Sequence, residues 1–119
     1  MNRQAVEEYI RNEYAVTPDY LWKGDNDTAA LRHRGSKKWF GIFMRIPRTK
    51  LGLSGEGLVD IINIKLDPDF VRALVDDETK LVFPAYHMNK KYWASAILDE
   101  KADKNLIQSL IHESFGLTL

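Results

Sequence analysis

The sequence contains no cysteine, no long apolar run and no excess of charge of either sign. Because cysteine is absent from all 119 residues, disulfides, thiolate zinc sites and a cysteine nucleophile are excluded. No apolar run approaches the roughly 18 residues that a membrane-spanning helix needs. The first eight residues are polar and contain no apolar run, so we expect no secretory signal. We therefore expect a cytoplasmic protein with no membrane partner.

Motifs for metals, cofactors and nucleotide phosphates are also missing. His33, His87 and His112 share no ligand spacing, and the glycines of residues 52–57 are not followed by a Gly-Lys-Ser pattern. Asp25 and Asp27 begin like a calcium loop, but the twelfth position is a serine. We expect no cofactor, no metal site and no catalytic residue.

The composition predicts one folded domain over residues 1–119. Hydrophobic residues make up 45% of the chain and aromatic residues 11%, which is ordinary for a globular protein. A chain of this length buries a core without disulfides or metals. We expect a monomer.

Helical periodicity and capping residues predict three helices. The first covers Arg3–Tyr14 with Asn2 as its cap, and the second begins at the Asp67-Pro68 pair and ends near Asp77. The third runs from the Asp103 cap to about Ser114, with Gly116 placed to end it.

Alternating apolar residues predict the strands between these helices. They cover residues 28–34, 37–46, 58–66 and 92–98, and residues 20–23 form a short edge strand. In the second of these, Phe40, Ile42, Met44 and Ile46 are expected on one face. Residues 48–57 and 79–91 are expected to be irregular. The short links between strands favour an α+β fold: an antiparallel sheet with helices packed on one face, in the order α-β-β-(β)-β-α-β-α.

Charge is segregated along the chain although its total is zero. Residues 28–55 contain seven basic residues and no acid, and residues 80–98 contain three more. If the sheet brings these segments together, they form a surface for the phosphates of DNA or RNA. The residues expected to contact phosphate are Arg32, Arg34, Lys37, Lys38, Arg48, Lys50, Lys90 and Lys91. The alternative is a solvated sheet edge on which lysines discourage pairing with another chain.

The stretch from Phe83 to Trp93 combines one histidine, one asparagine, two lysines and several aromatic residues. His87 is a possible acid or base, and Lys90 a possible anion ligand. The alternative is structural: His87 and Asn89 bond the turn, and Trp93 closes the core. A protein- or small-ligand-binding module centred on Tyr86–Trp93 is the second functional hypothesis, and an enzyme joining His87 to Asp60 or Asp99 is the third.

The same stretch resembles the MmcQ/YjbR-like family. The specific motif is His87-Met88-Asn89-Lys90 with Trp93, and Trp22-Lys23, residues 38–41 and Ser114-Phe115 also match the family's layout. Tyr92 stands where many members have histidine. The resemblance implies a CyaY-like α/β sandwich, a double-wing arrangement of hairpins for DNA binding, and no defining enzyme activity. It does not imply iron binding. We expect His87, Asn89 and Trp93 to organise the adjacent wing or pocket, and Trp39 or Tyr86 to add stacking where exposed.

Overall fold

Three α-helices and six β-strands make up the chain, and the computed structural model describes all residues from 1 to 119. The helices are α1 (Arg3–Tyr14), α2 (Pro68–Asp76) and α3 (Lys104–Leu117). The strands are β1 (Asp19–Tyr20), β2 (Ala29–Arg32), β3 (Trp39–Pro47), β4 (Leu58–Lys65), β5 (Val82–Pro84) and β6 (Trp93–Ile97). A short 3-10 turn, Arg48–Leu51, follows β3. None of the helices combines the length and apolar character needed to cross a membrane.

The six strands form one antiparallel sheet in the order β1-β2-β3-β4-β6-β5. The predicted α+β fold with an antiparallel sheet is confirmed. Each predicted cap also starts its helix, since the side chains of Asn2, Asp67 and Asp103 accept hydrogen bonds from backbone N–H groups of the first turn. These bonds satisfy donors that have no partner inside the helix.

All three helices pack on one face of the sheet, as predicted. Seventeen buried residues form a single cluster there, to which α1 gives Val6 and Ile10, α2 gives Val71, and α3 gives Ile107, Leu110 and Ile111. Phe43 and Ile62 supply the sheet side of this cluster from neighbouring positions of β3 and β4. The helices therefore pack only on this face. The opposite face, which carries no helix, is called here the open face.

The prediction that Phe40 shares a face with Ile42 is wrong. Leu31 pairs with Gly41 and Arg32 pairs with Trp39, so Phe40 is an extra residue opposite the β2 strand. A β-bulge of this kind turns one side chain to the other face of the sheet. Phe40 consequently packs in the helix-side core, where its carbonyl also accepts a hydrogen bond from Ser114 Oγ at 2.6 Å.

Other boundaries also differ from the sequence prediction, and the edge strand expected over residues 20–23 is Asp19–Tyr20. Val82–Pro84 forms an edge strand inside the region expected to be irregular, and proline is tolerated there because the outer side of an edge strand makes no ladder bonds. The α3 helix continues through Gly116 to Leu117 rather than ending near Ser114. Thr118 closes it, since its N–H bonds the carbonyl of Ser114 at 3.1 Å.

The open face is covered by residues 85–92 instead of a helix. Ile42, Ala85 and Trp93 form a second, smaller buried cluster on this face, and Met44 and Met88 pack against it. The 85–92 segment leaves β5, crosses the open face and returns to the sheet at the start of β6. Lys90 and Lys91 of this segment therefore lie at the end of the sheet where β6 begins.

Candidate functional site

Basic residues from three separate parts of the sequence lie at one end of the sheet. The β2–β3 turn lies at the start of β3, and β4 runs antiparallel to β3, so Lys65 at the end of β4 lies at the same end. Trp93 pairs with Lys65, and the carbonyl of Tyr92 accepts the N–H of Leu66 at 2.8 Å. We call this region the cationic end, defined by Arg34, Lys37, Lys38, Lys65, Lys90 and Lys91.

The β2–β3 turn holds Lys37 and Lys38 outward. The backbone N–H of His33 donates to the carbonyl of Lys38 at 2.9 Å, and the N–H of Lys37 donates to the carbonyl of His33 at 3.1 Å. Lys37 has φ +65°, in the left-handed region that only a minority of non-glycine residues adopt. Both lysines are exposed.

The imidazole of His33 anchors this turn to the end of α3. His33 is 6% exposed and its ring centroid lies 4.2 Å from that of Phe115. The hydroxyl of Thr118 donates to the carbonyl of Ser114 at 2.7 Å, so His33 Nε2 carries the proton and donates to Thr118 Oγ1 at 2.7 Å. Burial lowers the pKa of His33, and the positive charge of Lys38 lowers it further.

The lowered pKa of His33 predicts that acid destabilises the fold. Above the unfolded-state pKa of about 6.5 the imidazole is neutral in both states. As the pH falls below that value the unfolded chain takes up the proton first, so the free energy of unfolding decreases. We expect the urea midpoint to fall between pH 7.5 and pH 5.5, and to fall less in His33→Gln.

The matched control for this prediction is His87→Gln, because His87 is exposed on the surface. This variant should lose as much stability on acidification as the wild type. An equal loss in His33→Gln and wild type would show that His33 is not the group responsible.

Asn89 orders the turn that carries the other two lysines. Its side-chain oxygen accepts the N–H of Lys91 at 2.9 Å, and its carbonyl accepts the N–H groups of Tyr92 at 3.2 Å and Trp93 at 3.0 Å. These bonds fix the exposed Lys90 and Lys91 at the entry to β6. The role of Asn89 in the structure is therefore local and structural.

A buried polar clamp holds the 85–92 segment on the open face. Asn63 and Ser95 pair across β4 and β6, and both are 0% exposed. Ser95 Oγ donates to Asn63 Oδ1 and accepts the N–H of Tyr86 at 3.0 Å. Asn63 Nδ2 donates to the carbonyl of Tyr86 at 3.1 Å. Both backbone groups of Tyr86 are thus bound by side chains, and no buried polar side-chain atom lacks a partner.

Sequence reasoning missed the clamp and also missed Lys65. A signal was present for Asn63, since an asparagine between Ile62 and Ile64 interrupts an otherwise apolar strand. Buried polar groups require partners, so such a residue indicates a specific hydrogen bond. Lys65 lies in a part of the sequence that also contains acids, so counting charges does not identify it. The strand pairing places it beside Trp93.

A groove with two indoles and two amines opens at the cationic end. It has a volume of about 300 Å³ and is lined by Lys38, Trp39, Lys65, Trp93, Leu117 and Thr118. We call it the indole groove. Trp93 is 8% exposed, Trp39 is partly exposed, and Leu117 is 53% exposed.

The lysines of the cationic end have no carboxylate partner. The four ion pairs of the structure join Arg3 to Glu7, Arg3 to Asp60, Arg32 to Asp19 and Arg72 to Asp69. No acidic oxygen therefore lies within 4.0 Å of the amines of Lys38, Lys65 or Lys90. Their charges remain available to an external anion.

The structure does not bring all the predicted phosphate ligands together. Arg48 and Lys50 follow β3, at the end opposite to the cationic end, and a nine-residue strand separates the two ends by roughly 27 Å. Arg48 also donates from Nε to the carbonyl of Ser54 at 3.1 Å. Arg32 is near the cationic end, but its charge is paired with Asp19. Arg34, Lys37, Lys38, Lys90 and Lys91 do lie at one end of the sheet, together with Lys65, although they line three separate cavities.

His87 does not face a carboxylate. Its ring lies parallel to that of Tyr86, with centroids 4.1 Å apart and an interplanar angle of 6°. Asp60 lies beside Arg3 on the helix side, and Asp99 follows β6 at the end opposite to the cationic end. The structure therefore does not assemble the acid–base pair that the enzyme hypothesis required. No cluster of three or more His, Asp or Glu side chains is arranged to hold a metal ion.

A second cavity of about 360 Å³ lies between α2 and the 85–92 segment. Val71, Val75 and Pro84 contribute apolar surface, and Arg72, Lys90, Lys91 and Asp76 contribute charge. The small-ligand hypothesis centred the binding site on Tyr86–Trp93. The cavity beside this segment is lined by its lysines instead.

The chain is an α+β domain with a single antiparallel sheet. Its helices pack on one face of the sheet, and the segment that carries the His87-Met88-Asn89-Lys90 motif packs on the other. The model of the YjbR family matches residues 11–117. The chain belongs to the YjbR family, and the resemblance found in the sequence is confirmed.

Two uncharacterised proteins are similar to this chain in sequence. The chain is 36% identical over 118 residues to YyaQ of Bacillus subtilis, covering 99% of this chain and 98% of that protein. It is 36% identical over 62 residues to YbdF of Escherichia coli O157:H7, covering 51% and 49% respectively.

Solved structures share the architecture. A crystal structure of a Pseudomonas syringae protein is 38% identical, covers 100% of both chains and superposes with a TM-score of 0.93. A Deinococcus radiodurans protein is 16% identical over 98% of this chain and 77% of its own, with a TM-score of 0.70. The latter likeness concerns the fold alone.

Proposed function

We propose that this chain binds nucleic acid in the cytoplasm through its cationic end, and that it acts by binding rather than by catalysis. The observation that carries the proposal is that lysines from three parts of the sequence, without carboxylate partners, lie at one end of the sheet, where Lys38 and Lys65 line a groove with two indoles. Amines at such a site attract phosphates, and aromatic surface between them suits a base.

The lysines differ in how firmly they are placed. Lys65 sits within the strand ladder, and Lys37 and Lys38 belong to a hydrogen-bonded turn anchored by His33. Lys90 and Lys91 follow a turn ordered by Asn89 on a segment clamped by Asn63. Anchored backbones reduce the conformational entropy that is lost when a ligand binds, which favours binding over a loose basic loop.

The test is a titration of the wild-type chain with fluorescently labelled DNA and RNA oligonucleotides across a salt series. If four or more phosphates are contacted, the logarithm of the association constant falls with the logarithm of salt concentration with a slope of about −3 or steeper. No binding at about 50 mM salt would overturn the proposal.

The second proposed function is a small-ligand module beside the 85–92 segment, and the same salt series applied to a small organic anion tests it. The specific observation in its favour is the 360 Å³ cavity, whose apolar surface and cationic rim suit an organic anion. A small anion has no condensed counterion atmosphere, so its binding should depend on salt far less steeply than that of an oligonucleotide.

A further inference from the structure

We propose that the nucleic acid bound at the cationic end is single-stranded and that one unpaired base stacks on Trp39 in the indole groove. This inference rests on the proposed function and adds the class of nucleic acid and the residue that selects it. Its physical basis is a groove that combines aromatic and apolar surface with two amines.

The indole groove exposes apolar surface that the fold itself does not use. Trp93 is largely buried and packs with Ile42 and Ala85, so it forms part of the core. Trp39 packs against that cluster and remains partly exposed, and Leu117 is 53% exposed at the end of α3. A flat, partly exposed indole beside an aliphatic side chain offers a stacking platform to a planar ligand.

The two amines lining the groove suit the rest of a nucleotide. Lys38 immediately precedes Trp39 in the chain, and Lys65 pairs across the sheet with Trp93. Neither amine has an acidic oxygen within 4.0 Å. A base in the groove would therefore place its neighbouring phosphates close to unneutralised positive charge.

Stacking on the indole favours a single strand, whereas electrostatic attraction alone favours a duplex. Duplex DNA carries the higher charge density, so a purely electrostatic surface would favour the duplex. Bases within a duplex are already stacked and paired and cannot enter a groove of this kind without being extruded. A preference for single strands would consequently report the use of the indole groove.

The experiment compares a labelled 12-nucleotide single strand, as DNA and as RNA, with the 12-base-pair duplex of the same sequence. Anisotropy titrations at 50 mM salt use the wild type, Trp39→Ala and the matched control Trp22→Ala. Trp22 is 54% exposed and follows β1 at the end of the sheet away from the groove. We expect single strands to bind at least roughly tenfold tighter than the duplex, and Trp39→Ala to weaken only single-strand binding, by about tenfold. Trp22→Ala should change neither affinity.

The outcomes separate the inference from the function on which it rests. Equal or tighter binding of the duplex, or unchanged single-strand binding in Trp39→Ala, would overturn the inference and leave nucleic-acid binding intact. Binding of neither form by the wild type would overturn the function itself. If Trp39→Ala does not fold, irradiation of the wild type bound to a strand containing 5-bromouracil replaces it. Cross-linking at Trp39 supports the inference, and cross-linking only elsewhere or at no residue contradicts it.

Discussion

Reversing two charges at the cationic end, in the variant Lys38→Glu plus Lys65→Glu, should weaken the binding of nucleic acid by on the order of 100-fold. Both amines line the indole groove and neither is paired with an acid. A unit charge 4 Å from a phosphate contributes about 1 kcal/mol in water, and reversal replaces this attraction by a similar repulsion. The two sites together therefore supply roughly 3–4 kcal/mol, which is enough for that loss.

The control variant changes the same number of charges at the opposite end of the sheet. Lys50 follows β3 and Lys101 follows β6, and both are exposed. Lys50→Glu plus Lys101→Glu alters the net charge by the same amount, so it tests whether position matters. Its affinity for the oligonucleotides should stay within about threefold of the wild type at about 0.1 M salt, because charges farther apart than the Debye length are largely screened. Equal losses of affinity in both variants would show that binding depends on the net charge and not on the position of the charges.

Removing the amide of Asn63 should destabilise the chain by about 3 kcal/mol and loosen the 85–92 segment. The variant Asn63→Ala leaves the carbonyl of Tyr86 without its donor and the hydroxyl of Ser95 without its acceptor, in surroundings that exclude water. Each buried polar group left unsatisfied costs about 1–3 kcal/mol. Since a domain of this size has about 5–15 kcal/mol of stability, the variant should still fold.

Two measurements check this prediction: urea unfolding for the free energy, and amide hydrogen exchange for the segment. Asn12→Ala is the matched control, because Asn12 is an exposed asparagine on α1. We expect faster exchange at residues 86–92 in Asn63→Ala and unchanged exchange in the control. The result would contradict the clamp if Asn63→Ala cost no more stability than Asn12→Ala, or if the segment kept its protection.

The helices were predictable because their signals are local. Asn2, Asp67 and Asp103 were identified as caps from residue type and position alone, and each caps its helix. The sequence predicts too early an end for α3, because glycine is typical of the position after a helix and Gly116 follows the last apolar residues. The helix instead continues to Leu117, where the hydroxyl of Thr118 bonds the end of the helix and anchors His33.

The sheet faces were less predictable because they depend on pairing between strands. The period of two assigns Phe40 to the same face as Ile42, and a single bulge opposite β2 reverses that assignment. The short β5 strand was missed because three residues carry little periodicity, and because Pro84 argues against a strand unless the strand is known to lie at an edge.

The candidate site was predictable only in part. The distribution of charge along the sequence indicates two basic segments. The sheet places the β2–β3 turn of the first and the 85–92 segment of the second at one end. Sequence order could not show that Arg48 and Lys50 occupy the other end, that Asp19 pairs with Arg32, or that Lys65 completes the cluster. These features are properties of strand direction and register, which arise from contacts between residues distant in sequence.

The most direct test of the central claim is the salt dependence of oligonucleotide binding in the neutralised variant Lys38→Gln plus Lys65→Gln. Each lysine that contacts a phosphate contributes about 0.7 to 0.9 to the steepness of the salt slope. If both amines contact phosphate, the slope of the variant should be shallower than that of the wild type by about 1.4 to 1.8. An unchanged slope would mean that these lysines contact no phosphate, and the cationic end would not be the binding surface.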